Sequence, residues 1–276
     1  THHGGILSSF WANWFDMQVK TVQYGLGARG PRSRVTGELV CGDETLSDAE
    51  LAKTRCDFGD NILAHPLDDT YHRERSPIWD RVTTPFLSAA NWGGQGLHPR
   101  GNFEGFVRAA AKDKWLEAHG IEHWTHFYTD YGRMLQKRFF DFFLKGEPNG
   151  WDRQPRVQLQ VRHVDRFVER HENEWPIART QWTKFYLHPA VHSLERQPPV
   201  AAVSCTYDAL GDGITFLSAP LDKETEITGP LAARLLLVVD PCEELFLFPP
   251  ADQERLAAVL AALVRSRLVW GVAALR

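Results

Sequence analysis

The sequence predicts an α/β chain: the closing β-α-β-α of a parallel sheet, with helices before it and an incomplete all-β part after it. Two observations carry this. Between Thr83 and Gly146, two strand-like segments alternate with two segments of helical spacing, joined by short links. That order belongs to a parallel sheet whose crossovers are helices. Beyond Gly146, Arg156-Val157-Gln158-Leu159-Gln160-Val161-Arg162 alternates strictly between polar and apolar residues. Short strand candidates follow, set between Pro- and Gly-bearing turns, which is the pattern of an antiparallel sandwich.

Taken in order, His2-His3-Gly4-Gly5 has the composition of the HGGG-type oxyanion loop, but that loop follows a strand and none can be read before it. A glycine turn entering a helix is the expected structure. The helix runs from Ile6 to about Tyr24, with Phe10, Trp11, Trp14, Phe15, Val19 and Val22 on its apolar face and Gly25-Leu26-Gly27 at its end. Residues 28–80 are polar and irregular, with one clear helix start: Ser47 before Asp48-Ala49-Glu50-Leu51 is a capping box.

Thr84-Pro85-Phe86-Leu87-Ser88-Ala89-Ala90 reads as a buried strand, broken by Asn91-Trp92-Gly93-Gly94-Gln95-Gly96. Phe103 to Ala111 has helical spacing through Phe103, Phe106, Val107 and Ala110. Asp113 to Ala118 is a second strand with a weak apolar pattern. A helix from about Thr129 to Leu144 carries Met134, Leu135, Phe139, Phe140, Phe143 and Leu144, and Gly146 stands at the C-cap position. After the alternating strand, Trp182–Leu187 and Ile214–Leu217 are further strand candidates. The tail beyond Leu237 lacks lysine and strand alternation, with Ala251–Val264 as a possible helix.

The balance of 43% hydrophobic residues, ten Trp and a net charge of −4 describes a globular chain. No basic stripe suggests nucleic acid, and no apolar run reaches the roughly 18 residues of a membrane span. Cys41, Cys56, Cys205 and Cys242 lie far apart without a CxxC pair and read as free thiols. With no signal peptide, the expected location is cytoplasmic. The chain begins Thr1-His2-His3, without an initiator methionine, and is expected to be a piece of a longer protein.

Chemistry in parallel α/β sheets gathers at the carboxyl ends of the strands. His123 stands at such an end, after the second strand. In the same region, Lys114-Trp115-Leu116, Glu122-His123-Trp124 and Arg138-Phe139-Phe140-Asp141-Phe142-Phe143-Leu144-Lys145-Gly146 resemble the CocE/NonD hydrolases, which include cocaine esterases and Xaa-Pro dipeptidyl peptidases. The resemblance covers roughly residues 1–235, and its most specific part is the Phe-Phe-Asp-x-Phe-Leu-Lys-Gly string. It implies a partial α/β-hydrolase: a helical cap region over 1–80, the last part of the catalytic domain over 81–150, and the start of a jelly-roll-like sandwich over 151–237. An atypical tail over 238–276 follows. Glu174-Trp175-Pro176 and Thr225 to Pro230 match the family's sandwich sequences.

The resemblance also implies hydrolysis of esters or amides, including Xaa-Pro dipeptides, through an acyl-enzyme on serine, with His123 as the triad histidine. It implies a small ester, amide or peptide substrate; with the absence of a basic stripe and of a long apolar run, no nucleic acid or membrane partner is expected, and no cofactor or metal is assigned. Gly-x-Ser-x-Gly, the turn that exposes such a serine, does not occur in the sequence. Ser88 ends a strand but has Ala90 where the elbow needs glycine. The fragment alone is therefore expected to be inactive. Gly94 stands where the family has its acidic residue, and Glu104, Asp130 and Glu122 are nearby without assignment.

Two alternatives stay open: a catalytically inactive binding protein of the same fold, and a zinc hydrolase. His119-Gly120-Ile121-Glu122-His123 fits H-x-x-E-H, and on one helix His119, Glu122, His123 and His126 would share a face. Gly120 and the strand before it weigh against that helix.

Overall fold

The computed structural model describes residues 2–3, 6–8, 10–94, 98–208, 211–232, 238–239 and 272–273. The chain divides into two compact units, one of residues 1–78 with 232–276 and one of residues 79–231.

In the first unit, β1 (His2–His3) and β2 (Ile6–Leu7) form a short antiparallel pair. The helix expected from Ile6 therefore begins later, as α1 (Phe10–Trp14), and continues as a π-helical turn over Phe15–Val19. Pairing of Ile6 with His3 takes the start of the predicted helix into extended backbone. At the other end, the Thr21 hydroxyl donates to the Met17 carbonyl, a side-chain bond that competes with further helix. Phe15 is buried against Phe58, with ring centroids 5.2 Å apart. That ring belongs to α3 (Phe58–Ala64), which follows α2 (Asp48–Lys53) and precedes α4 (Thr70–Glu74). The Ser47 capping box is formed in full: its hydroxyl accepts from the Glu50 amide, and the Glu50 carboxylate accepts from the Ser47 amide at 2.8 Å. Also in this unit, β9 (Val238–Val239) pairs in parallel with β10 (Val272–Ala273). The helix expected over Ala251–Val264 lies outside the described residues.

The second unit is mixed α/β, built on a four-stranded sheet of order β3-β4-β5-β6. These strands are β3 (Phe86–Asn91), β4 (Lys114–His119), β5 (Val157–Arg162) and β6 (Phe167–Glu172). The first three run parallel, with Ser88 opposite Leu116 and Leu116 opposite Val157, and β6 is antiparallel to β5. The alternating segment 156–162 pairs antiparallel with β6, as its pattern predicts, and it also runs parallel to β4, so it extends that sheet. Val157, Gln158 and Leu159 are buried because β4 and β6 flank the strand on either side.

Side chains of alternate strand residues face opposite sides of a sheet, and the helices divide accordingly. α5 (Pro99–Arg108) contributes Phe106 to one core, with Ala90, Leu116, Ala118, Val157, Leu159, Trp175 and Ile177. On the other face, α7 (Asp130–Lys145) contributes Leu135 and Phe139, which pack with Trp115 and Trp151. Each fully buried Leu or Val adds about 1.5–3 kcal/mol of apolar burial. The Phe-Phe-Asp-x-Phe-Leu-Lys-Gly string now has a physical meaning. Phe139 lies in this core with Phe142 and Phe143 packed against it, and Gly146 closes α7 in the left-handed conformation, φ 69°. Asp141 is buried yet bridged by Lys137 and by Lys145 at 2.6 Å, each four residues away. Those ammonium groups hold its carboxyl below the usual range.

Beyond the sheet, β7 (Tyr186–His188) pairs antiparallel with β8 (Ser193–Glu195). The strand expected over Trp182–Leu187 is thus shorter and shifted, and Ile214–Leu217 is reduced to one bridge, Leu217 to Ser193. Cys41, Cys56 and Cys205 are free thiols, and Cys242 lies outside the described residues. Among the described residues no helix is long and apolar enough to cross a membrane.

An ion-pair network ties β6 to the 225–228 segment. Arg170 bonds Glu226 at 2.6 Å and Glu172 at 2.7 Å, and Arg179 also pairs with Glu172. The hydrogen bond from Arg170 pulls the Glu226 carboxyl down to about 2 from 4.5. A carboxyl depressed in the folded state stabilises the fold above its unfolded value, and that stabilisation is lost as pH falls from about 4.5 towards about 2. Glu226 is nearly half exposed, so its share is about 0.2–1 kcal/mol. Glu226→Gln should therefore shrink the drop in urea midpoint between about pH 7 and about pH 3. A drop as large as that of the unaltered chain would deny the pair any role in acid stability.

Candidate functional site

The carboxyl ends of β3 and β4 bring two groups of polar side chains together. One is exposed and one is buried.

His123 belongs to the exposed group. It is the first residue of a short helix, α6 (His123–Tyr128), just after β4. Its imidazole packs edge-on against Trp124 at 4.8 Å and against His98 at 4.9 Å. His98 stands immediately before α5, in the connection that follows β3. Burial and the neighbouring His123 hold the His98 imidazole below its usual pKa. Among the described residues, no carboxylate lies within ion-pair distance of His123.

The connection from β4 to α6 has an unusual shape, and its cause lies on β3. Ile121 adopts φ 54°, a left-handed conformation that disfavours β-branched side chains. Its carbonyl accepts from Asn91 Nδ2 at 2.9 Å, and Asn91 is only 2% exposed at the end of β3. Gly93 permits the close approach, because a Cβ there would lie 2.6 Å from the Ile121 carbonyl oxygen. On the other side, the Gly120 amide donates to Gln160 Oε1 at 2.9 Å. Three contacts from neighbouring elements thus hold the loop that delivers His123.

The buried group lies on the α7 side of the sheet. Glu117 and His119 are two residues apart on β4, so both face that side. They are 2% and 4% exposed. His119 Nδ1 meets Glu117 Oε2 at 2.8 Å. His126, one turn beyond His123 on α6, lies 4.4 Å from His119 between ring centroids, and its Nε2 is 3.9 Å from Glu117 Oε1. Tyr131 closes the group at 4.7 Å from His126. Burial raises the Glu117 carboxyl, although the bond from His119 opposes it, and Glu169 adds to the rise. Burial also raises the Tyr131 phenol and, together with His119, lowers His126.

The remaining candidates fall away from either group. Ser88 is buried and donates its hydroxyl to the Asn102 carbonyl at 3.0 Å. Glu104 pairs with Arg108, and Asp130 with Arg133, each on its own helix. Glu122 supplies the N-cap backbone of α6, and its carboxylate accepts from the Thr125 hydroxyl. Gly94 closes a 3-10 turn over Trp92–Gly94. The single helix needed for an H-x-x-E-H zinc site is not formed: His119 ends a strand and His123 starts a helix. A surface cavity lined by Lys112, Lys114, Arg156 and Glu174 lies at the amino ends of β4 and β5, opposite the histidines.

Comparison with known proteins bears on this arrangement. The family model for the X-Pro dipeptidyl-peptidase C-terminal non-catalytic domain matches residues 149–261. Cocaine esterase from Rhodococcus sp. (strain MB1 Bresler) is 24% identical over 198 residues, covering 62% of this chain and 32% of that one. A crystal structure of a CocE/NonD family hydrolase from Staphylococcus aureus is 34% identical, with a TM-score of 0.51, over 54% of this chain and 27% of that chain. The chain is CocE/NonD-like. It spans about a third of the length of the cocaine esterase and about a quarter of the staphylococcal hydrolase. In this CocE/NonD-like chain, the stretch matching the non-catalytic domain model begins just ahead of β5. Two strands of that stretch therefore complete the sheet that carries the histidines.

Proposed function

We propose that the CocE/NonD-like chain is part of a serine-type hydrolase that cleaves esters or amides, Xaa-Pro dipeptides included, through an acyl-enzyme. His123 is its general base and acid. The observation that carries this is positional: His123 is exposed beyond the carboxyl end of a parallel strand, at the start of a helix whose entry loop is fixed from the neighbouring strand, on a CocE/NonD-like sheet. An imidazole so placed can take a proton from a serine on an adjoining turn and return it to the leaving group. The nucleophile is supplied by residues outside these 276, since the sequence contains no Gly-x-Ser-x-Gly. The acid that orients His123 is left unassigned: Glu104 pairs with Arg108, Asp130 with Arg133, and Glu122 accepts from the Thr125 hydroxyl.

Two preparations test the reading. The 276-residue chain should hydrolyse activated esters no faster than buffer. The complete gene product should be labelled by a fluorophosphonate at a serine outside the chain. Turnover by the chain alone that vanishes in His123→Ala would place the nucleophile inside it and overturn this assignment. Failure of the complete protein to label would favour an inactive binding protein of the same fold.

A further inference from the structure

The buried group on β4 and α6 has donors that the protein itself does not use. Among the described residues, His119 Nε2 and His126 Nε2 are both buried without a hydrogen-bond partner. A buried polar atom left without a partner is costly, and here two lie in one cluster beside a carboxylate that is 2% exposed. One donor atom from each of Glu117, His119 and His126 can be chosen so that all lie within 4.8 Å of one another. We propose that Glu117, His119 and His126 bind a divalent transition-metal ion of the zinc class.

The chemistry of the donor set supports this choice. Two imidazoles and one carboxylate suit zinc and its neighbours, whereas calcium and magnesium require oxygen donors. The cation would also answer the charge of a carboxylate enclosed among aromatic rings, whose one hydrogen bond among the described residues is to His119.

The site is distinct from the H-x-x-E-H pattern, because Glu122 and His123 take no part. Its position suggests its use. His119 ends β4 and His126 lies on α6, so a shared ion clasps the two elements on either side of the loop that leads into His123. The inference does not rest on the proposed hydrolase activity, and its test does not use that activity.

Metal-free chain would be dialysed against Zn²⁺ and analysed for metal, then loaded with Co²⁺ for its visible spectrum. One equivalent of Zn²⁺ is expected, with a Co²⁺ spectrum of low-symmetry, four- or five-coordinate type. Glu117→Gln and His126→Ala should each weaken Zn²⁺ binding by at least about 10-fold and alter the Co²⁺ spectrum. His123→Ala should change neither. Circular dichroism identifies any variant that fails to fold, and the unaltered chain decides the matter alone if one does. Less than stoichiometric uptake by the folded, unaltered chain overturns the proposal. So does binding retained in folded Glu117→Gln and His126→Ala, or lost in His123→Ala.

Discussion

If the complete protein is the serine hydrolase proposed above, His123→Ala should lower its kcat by about 10³-fold or more, because members of a nucleophile–base unit act together. His119→Ala and His126→Ala should cost far less. The three residues make a stringent comparison because they lie within eight positions of one another yet occupy different surroundings. His123 is exposed, His119 is enclosed beside Glu117, and His126 lies between them and Tyr131. Damage to the fold would reach the two enclosed histidines first, through melting temperature and metal content. Loss of a proton-transferring group would appear in kcat alone, with the melt unchanged. If all three substitutions reduce kcat equally in folded protein, His123 is not the base.

The second large effect concerns stability. Trp151→Ala should cost about 3–5 kcal/mol, a large part of the 5–15 kcal/mol that holds a typical domain folded. Trp151 is 0% exposed and lies 5.4 Å from Trp115 and 5.3 Å from Phe139 between ring centroids. It joins β4 to α7 from outside both elements, so its removal leaves a cavity that neither can close by itself. Among the described residues its indole nitrogen is buried without a partner, so Trp151→Phe should cost much less: most of the ring remains and the unpaired donor is gone. Urea unfolding followed by circular dichroism would measure both. A loss below about 1 kcal/mol for the alanine variant would show that the site collapses freely.

What the sequence revealed depends on the range of the forces involved. Helix α7 was legible to within a residue because its signals are local: the Thr129 hydroxyl accepts from the Gly132 amide at 3.2 Å, and Gly146 takes the left-handed cap. The same holds for the Ser47 capping box. Strand β6 went unread because Phe167-Val168-Glu169-Arg170-His171-Glu172 is largely exposed and has no hydrophobic alternation; its hydrogen bonds to β5 make it a strand. Alternation over 156–162 did predict a strand, but alternation cannot say which sheet the strand joins. Pairing with Leu116 and Ala118 decides that.

At the site, His123 was legible as a residue beyond a strand, whereas the meeting of Glu117, His119 and His126 was not. The signal was present as the weak apolar pattern of β4. Polar residues at alternate positions of a central strand, Glu117 and His119, point to a polar cluster inside a core. Finding the third member required α6, which the sequence reading did not contain. His98 beside His123 was missed for the same reason, since only the folded connection after β3 brings the two rings together.

Ile121 separates shape from composition in the loop before His123. A backbone angle that its own side chain resists is imposed by an amide on one strand and a bare α-carbon two residues later. The aim of the imidazole is therefore encoded at Asn91 and Gly93, some thirty positions upstream, and not in the residues around it. Substitutions at those two positions can redirect His123 while leaving every residue that a substrate would touch unchanged. The stretch after β3 that lacks an acidic residue at Gly94 thus has a different task, as the jig that sets the angle of its neighbour.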